Sequence, residues 1–146
     1  MDIKRSGSQP SGKGPTEYFF TADIVAALRD GKGLRIRAGT RHRFIGIWVV
    51  VVENRIFVRS WSVKTRGWYR AFLTDPRGFV QLGDRTIPVL AVRTRSARLR
   101  DAVDRAYLEK YATPGALRYA RDLGSPKSRA TTIELRPATG SRGTRV

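Results

Sequence analysis

The chain contains no cysteine and a single histidine, His42. The first absence removes disulfides, thiolate metal sites and a thiol nucleophile. The second leaves too few imidazoles for a His-based zinc site and disfavours most His-general-base schemes. Carboxylates are scarce as well: 12 Asp and Glu stand against 29 Lys and Arg, a formal net charge of +17 over 146 residues. The longest apolar run, Ile45 to Val52, is only eight residues long and includes Gly46, far short of the ~20 needed to cross a bilayer as a helix. No apolar signal segment follows Met1-Asp2-Ile3-Lys4-Arg5, so a cytoplasmic protein is expected. Serines are plentiful, yet no Gly-x-Ser-x-Gly elbow is present to expose one as a nucleophile.

What remains is a basic chain with a real core. Its 40% apolar content supports one folded domain. Residues 1–17 and 138–146 are polar, Gly- and Ser-containing stretches with little to bury, and are expected to be disordered tails around a domain at 18–137. Ser11-Gly12-Lys13-Gly14 lacks the Walker spacing and the strand and helix that a phosphate loop needs. The positive charge is dispersed, with no run of five cations, and 23 of the 29 cations are Arg. Such an excess fits nucleic-acid binding through phosphate contacts, and equally an Arg-rich codon bias without any ligand.

Periodicity predicts an α+β fold. Thr21 precedes a short helix, Ala22 to Asp30, with Ile24, Val25 and Leu28 on one face. Leu34 to Ala38 alternates as a half-buried strand does, and a cationic loop runs from Arg37 to Gly46. The β-branched stretch Ile47 to Val52 is expected to be a central strand covered on both faces. Glu53-Asn54 then turns the chain into a hairpin partner, Arg55 to Trp61, with Ile56 and Val58 buried. Trp68 to Leu73 should be helical up to Asp75-Pro76, and Gly78–Leu82 and Thr86–Arg93 should pair around Gly83-Asp84. The longest helix starts after Ser96 and carries Leu99, Val103, Tyr107 and Tyr111 on one stripe. A shorter helix, Ala116 to Leu123, and a strand, Ala130 to Arg136, complete about six strands in a small antiparallel split β-barrel with peripheral helices.

The densest polar constellation runs from Val58 to Arg70. Arg59, Ser60, Ser62 and Lys64 are groups that hold a phosphate, and Trp61, Trp68 and Tyr69 offer flat surfaces for a heteroaromatic ring. The plainer reading makes Trp68 and Phe72 core anchors and leaves the cations in water. Arg41 and Arg43, flanking His42, would complete an anionic pocket or sit on a solvated loop. Asp101 and Asp104 share a helix side, where placement in the first turns favours a structural role over paired-carboxylate catalysis.

The stretches Ile47–Val52, Phe57-Val58-Arg59-Ser60, Gly67-Trp68-Tyr69-Arg70-Ala71 and Ala-Thr-Thr-Ile-Glu-Leu near residue 133 occur in order and resemble domain-of-unknown-function family 2255, over about Thr21 to Pro137. More widely, Trp68-Tyr69-Arg70 with Asp75-Pro76, Gly83 and Pro88-Val89 resembles the deazaflavin-dependent nitroreductases of the FMN-binding split-barrel superfamily. Where those enzymes carry a Gly-x-x-Ser-Gly signature, this chain reads Gly39-Thr40-Arg41-His42-Arg43: basic, but without the Ser-Gly pair. The resemblance implies a homodimer binding FMN or a deazaflavin, with Arg59, Ser60, Ser62 and Lys64 toward the cofactor phosphate and Trp68 and Tyr69 lining its pocket. Hydride chemistry would then belong to the cofactor and require no acid or base from the chain. The competing expectations are a nucleic-acid-binding module and a ligand-free interaction subunit. No metal is expected in any of them.

Overall fold

The structure, a computed structural model, describes residues 20–61 and 67–138. The expected tails, apart from Ala138, lie outside the described residues. Chain order is α1 (Ala22–Asp30), β1 (Leu34–Ala38), β2 (Ile45–Ile47), β3 (Val50–Val52), β4 (Arg55–Val58), α2 (Trp68–Thr74), β5 (Arg77–Leu82), β6 (Arg85–Arg93), α3 (Ala97–Lys110), α4 (Pro114–Leu123), α5 (Pro126–Arg129) and β7 (Ile133–Pro137).

The seven strands form one antiparallel sheet in the order β2-β1-β5-β6-β7-β4-β3. The two outermost strands, β2 and β3, are separated in sequence only by Trp48 and Val49. The sheet therefore curls until its opposite edges lie two residues apart, and the chain itself bridges the split. This corrects two expectations. The stretch Ile47 to Val52 is not one central strand: Ile47 ends edge strand β2 and Val50–Val52 form edge strand β3, and the strand count is seven rather than about six. β-Branched residues suit either edge equally well, so the side chains carry no mark of where the ladder breaks.

The break has a physical basis in what holds the corner. The Val49 N–H donates to Tyr111 Oη at 3.1 Å, and Tyr111 Oη donates to the Lys32 carbonyl at 2.6 Å. Lys110 Nζ donates to the carbonyls of Val49 and Leu28, both at 2.8 Å. Backbone groups that leave one ladder before joining the next must find other partners, and the end of α3 supplies them. Trp48 lies flat on the Tyr111 ring, 3.9 Å between centroids. At Gly33, a Cβ would stand 2.6 Å from the Ile47 carbonyl oxygen, so glycine is needed where the two ends approach.

The turn is as expected, with arms shortened to Val50–Val52 and Arg55–Val58: Val52 pairs with Arg55, and Glu53 and Asn54 both have positive φ, the geometry of a two-residue turn matched to strand twist. In β4, Ile56 and Val58 enter the barrel core with Ile36, Val80, Val89, Ile133 and Leu135, while Phe57 faces outward. Phe57 is nonetheless fully buried, because α3 and α4 cover it with Leu99, Val103, Tyr107 and Leu123. Ser96 caps α3 by accepting from the Leu99 N–H. A barrel core and an outer core thus share β4 as their wall.

Candidate functional site

The end of β4 carries the chain from the barrel wall to the mouth of the split. Arg59, the next residue, has a side chain with 0% exposure. Its Nε donates to Thr132 Oγ1 at 2.8 Å, and Nη1 donates to Asp104 Oδ1 and to the Leu123 carbonyl, the latter at 2.8 Å. Nη2 donates to the Arg100 carbonyl at 3.0 Å. These bonds occupy four of the five guanidinium N–H donors. Burial pulls the Arg59 pKa below its ordinary value, against the pull of the Asp104 carboxylate. Asp104 is shared with Arg129, at 2.6 Å, and Arg129 also reaches Asp101 at 2.8 Å. Asp101 and Asp104 are thus committed to ion pairs that tie α3 and α5 to the barrel.

Ser60 is buried beside this network, and its N–H donates to Thr131 Oγ1 at 2.9 Å. Trp61 emerges with 58% of its surface exposed. Its ring meets Tyr119 of α4 edge-on at 5.5 Å, and Tyr119 in turn meets the edge of Trp48 at 6.5 Å. Together with Ile45, Ile47 and Trp68, these residues wall a largely apolar cleft of about 400 Å³ at the split in the barrel. That volume lies within the range of small-molecule sites.

The other predicted residues are distributed unevenly. Trp68 lines the cleft, but Tyr69 is buried in the barrel core, edge-on to Trp68 at 6.3 Å. Arg41 and Arg43 are exposed on the loop between β1 and β2, and Arg41 lines a second cavity behind α2. Ser62 and Lys64 lie outside the described residues. Arg59, Ser60 and Trp68 are therefore brought together, whereas Arg41, Arg43 and Tyr69 are not among the cleft residues. Sequence reasoning missed Ile45, Ile47 and Tyr119. The amphipathic pattern of α4 marks an exposed face for Tyr119, but the opposing tryptophans come from other elements, and nothing local signals their meeting.

Among the described residues no group of three or more His, Cys, Asp or Glu is placed to hold a metal ion. None of the described helices is long and apolar enough to cross a membrane.

No curated protein matches the chain. Among solved structures, the crystal structure of the conserved hypothetical protein Rv2991 from Mycobacterium tuberculosis is similar, with a TM-score of 0.51 and 14% identity over 84% of this chain and 82% of that one. At that identity the likeness shows a shared fold. The pattern of DUF2255, described as an uncharacterized protein conserved in bacteria, matches residues 32–135. These residues hold β1 to β6, the first part of β7, the corner at Trp48-Val49 and the residues that line the cleft, and the chain belongs to the DUF2255 family.

Proposed function

We propose that this domain binds a flavin-class cofactor, FMN or a deazaflavin, with the tricyclic ring in the cleft walled by Trp48, Trp61, Trp68 and Tyr119. The observation that carries the proposal is Trp61, 58% exposed at the mouth of an apolar cleft that already gathers three other aromatic rings. Leaving an indole in water forgoes roughly 1.5–3 kcal/mol of burial, and a planar ligand would recover part of it. The aromatic walls fit a ring. For the phosphate end, four of the five donors of Arg59 are already engaged within the fold, and the proposal assigns that task to Ser62 and Lys64, which follow Trp61 in sequence. When bound, the cofactor would supply hydride chemistry. The chain would orient the ring and exclude water from one of its faces. The wider resemblance to split-barrel proteins adds a second copy of the chain to the proposal, tested by light scattering on the eluted protein.

The test is absorbance. Protein purified without added cofactor, or after incubation with FMN or an oxidised deazaflavin and desalting, should carry the visible band of the ligand at a stoichiometry near one per chain. Desalted protein that is colourless under all conditions sinks the reading. The alternative, nucleic-acid binding through dispersed arginines and Trp61 as a stacking platform, would instead show affinity falling roughly a thousandfold or more between about 50 and 200 mM salt.

A further inference from the structure

Behind α2, and walled off from the aromatic cleft by that helix, lies a second cavity of about 960 Å³. Gly67 and Trp68, at the start of α2, border the first cleft, whereas Ala71, Thr74 and the following Asp75 border the second. The apolar side chains at its surface are those of Ala71, Phe79, Pro88 and Leu90, while Ala38 and Val89 border it but are buried in the barrel core. Over one side stands the loop Gly39-Thr40-Arg41-His42.

That loop is held at both ends. Gly39 has φ +63° and its N–H donates to the Arg77 carbonyl at 2.9 Å. Arg37 donates from Nε to the Gly39 carbonyl at 3.2 Å, and its guanidinium lies between the rings of Phe44 and Phe79, 4.6 and 4.9 Å from their centroids. Arg41 is thereby presented at the rim by a braced loop rather than a loose one. Arg77, the other cation at the rim, already grips Asp75 through Nε at 3.1 Å and Nη2 at 3.0 Å. Among the described residues Arg41 has no carboxylate partner. Among the described residues the rim therefore holds one guanidinium without a carboxylate partner, beside an open and largely apolar groove.

We infer that this cavity is a second ligand site, for a small amphipathic carboxylate: an apolar chain or ring in the groove and one carboxylate on Arg41. A single guanidinium fork matches one carboxylate in bidentate geometry. The groove is at the upper end of the usual size for a small-molecule site. The site shares no lining residue with the aromatic cleft, so it stands or falls independently of flavin binding.

The test uses the full chain and decanoate, decanol and decyl phosphate as probes, by titration calorimetry and amide chemical shifts. Decanoate should bind saturably and shift the amides of Gly39, Ala71 and Gly78. Arg41→Gln should weaken decanoate by roughly tenfold to a hundredfold, as loss of a charged hydrogen bond does, and leave decanol unchanged. Thr74→Trp, at an exposed rim position, should block both. Arg121→Gln, an exposed charge-matched control on α4, should change neither. The inference is overturned if the shifts fall on Ile45–Trp48 and Trp61, if decanol binds as tightly as decanoate, or if Arg121→Gln weakens decanoate as much as Arg41→Gln. Decyl phosphate binding more than tenfold tighter than decanoate would overturn the carboxylate assignment.

Discussion

Replacing Arg59 by Met should damage stability far more than replacing its neighbour Arg129. The substitution keeps much of the side-chain length but deletes the contacts to Thr132, Asp104, Leu123 and Arg100. Two of these partners are backbone carbonyls, left without the donor they had. Removing one partner of a buried ion pair costs about 3–5 kcal/mol, much of it from the group left behind. Asp104 keeps Arg129 and is 28% exposed, so water and a second cation offset part of that loss. The expectation is therefore the lower end, about 3 kcal/mol. Arg129→Met removes a guanidinium that is 25% exposed, and should cost only about 1 kcal/mol. Urea unfolding followed by far-UV circular dichroism measures both. The double variant Arg59→Met/Asp104→Leu should be less destabilised than the sum of its single changes, because each single change strands a charge. A loss below about 1 kcal/mol for Arg59→Met, or strict additivity in the cycle, would refute the argument that Arg59 is a clamp inside the fold.

Further outcomes follow from the same geometry. Tyr111→Phe strips the acceptor from the buried Val49 N–H and the donor from the Lys32 carbonyl, and should cost about 1–3 kcal/mol in the same urea assay. Lys64→Ala should weaken FMN binding roughly tenfold to a hundredfold with an unchanged unfolding midpoint, measured by calorimetry. Hydrogen bonding from Arg98 holds the Glu53 carboxyl below the usual range, and Arg77 does the same for Asp75. A depressed carboxyl contributes stability that is complete above its unfolded pKa and lost as pH falls through the folded one. Stability should therefore decline below about pH 4.5, and Glu53→Gln with Asp75→Asn should flatten that acid limb in thermal melts between about pH 5 and 2.

Local grammar made much of this fold legible. Glu53-Asn54 between a continuous β-branched run and an alternating stretch specified the tight turn, and Ser96 followed by a 3.6-residue apolar stripe specified α3. The crossover at Trp48-Val49 was invisible, because a continuous β-branched run has no glycine or proline at the point where it changes partners. Its cause lies about sixty residues away, in Tyr111 and Lys110. The site followed the same rule. Trp61 and Trp68 stood out as aromatics beside phosphate-type groups, but Arg59 reads identically in sequence whether it faces a ligand or Asp104. Glu134 is a similar case. It is the second residue of β7 at 2% exposure, satisfied by bidentate Arg55 at 2.8 and 3.0 Å and by Arg136 at 3.1 Å. Pairings across a barrel of this kind depend on register, which single-strand patterns do not encode.

The most direct measurement of the central claim is quenching of tryptophan fluorescence by FMN and by a reduced deazaflavin at about 0.2 M salt, for the native chain and for Trp61→Ala. Trp61 is more than half exposed, so its removal should leave the unfolding midpoint in place while weakening ring binding roughly tenfold, as loss of one aromatic wall implies. Saturable quenching in the native chain that is reduced in this way in Trp61→Ala is the predicted result. Absence of saturable quenching by either cofactor, or identical binding by both proteins, would contradict the placement of a flavin-class ring in this cleft.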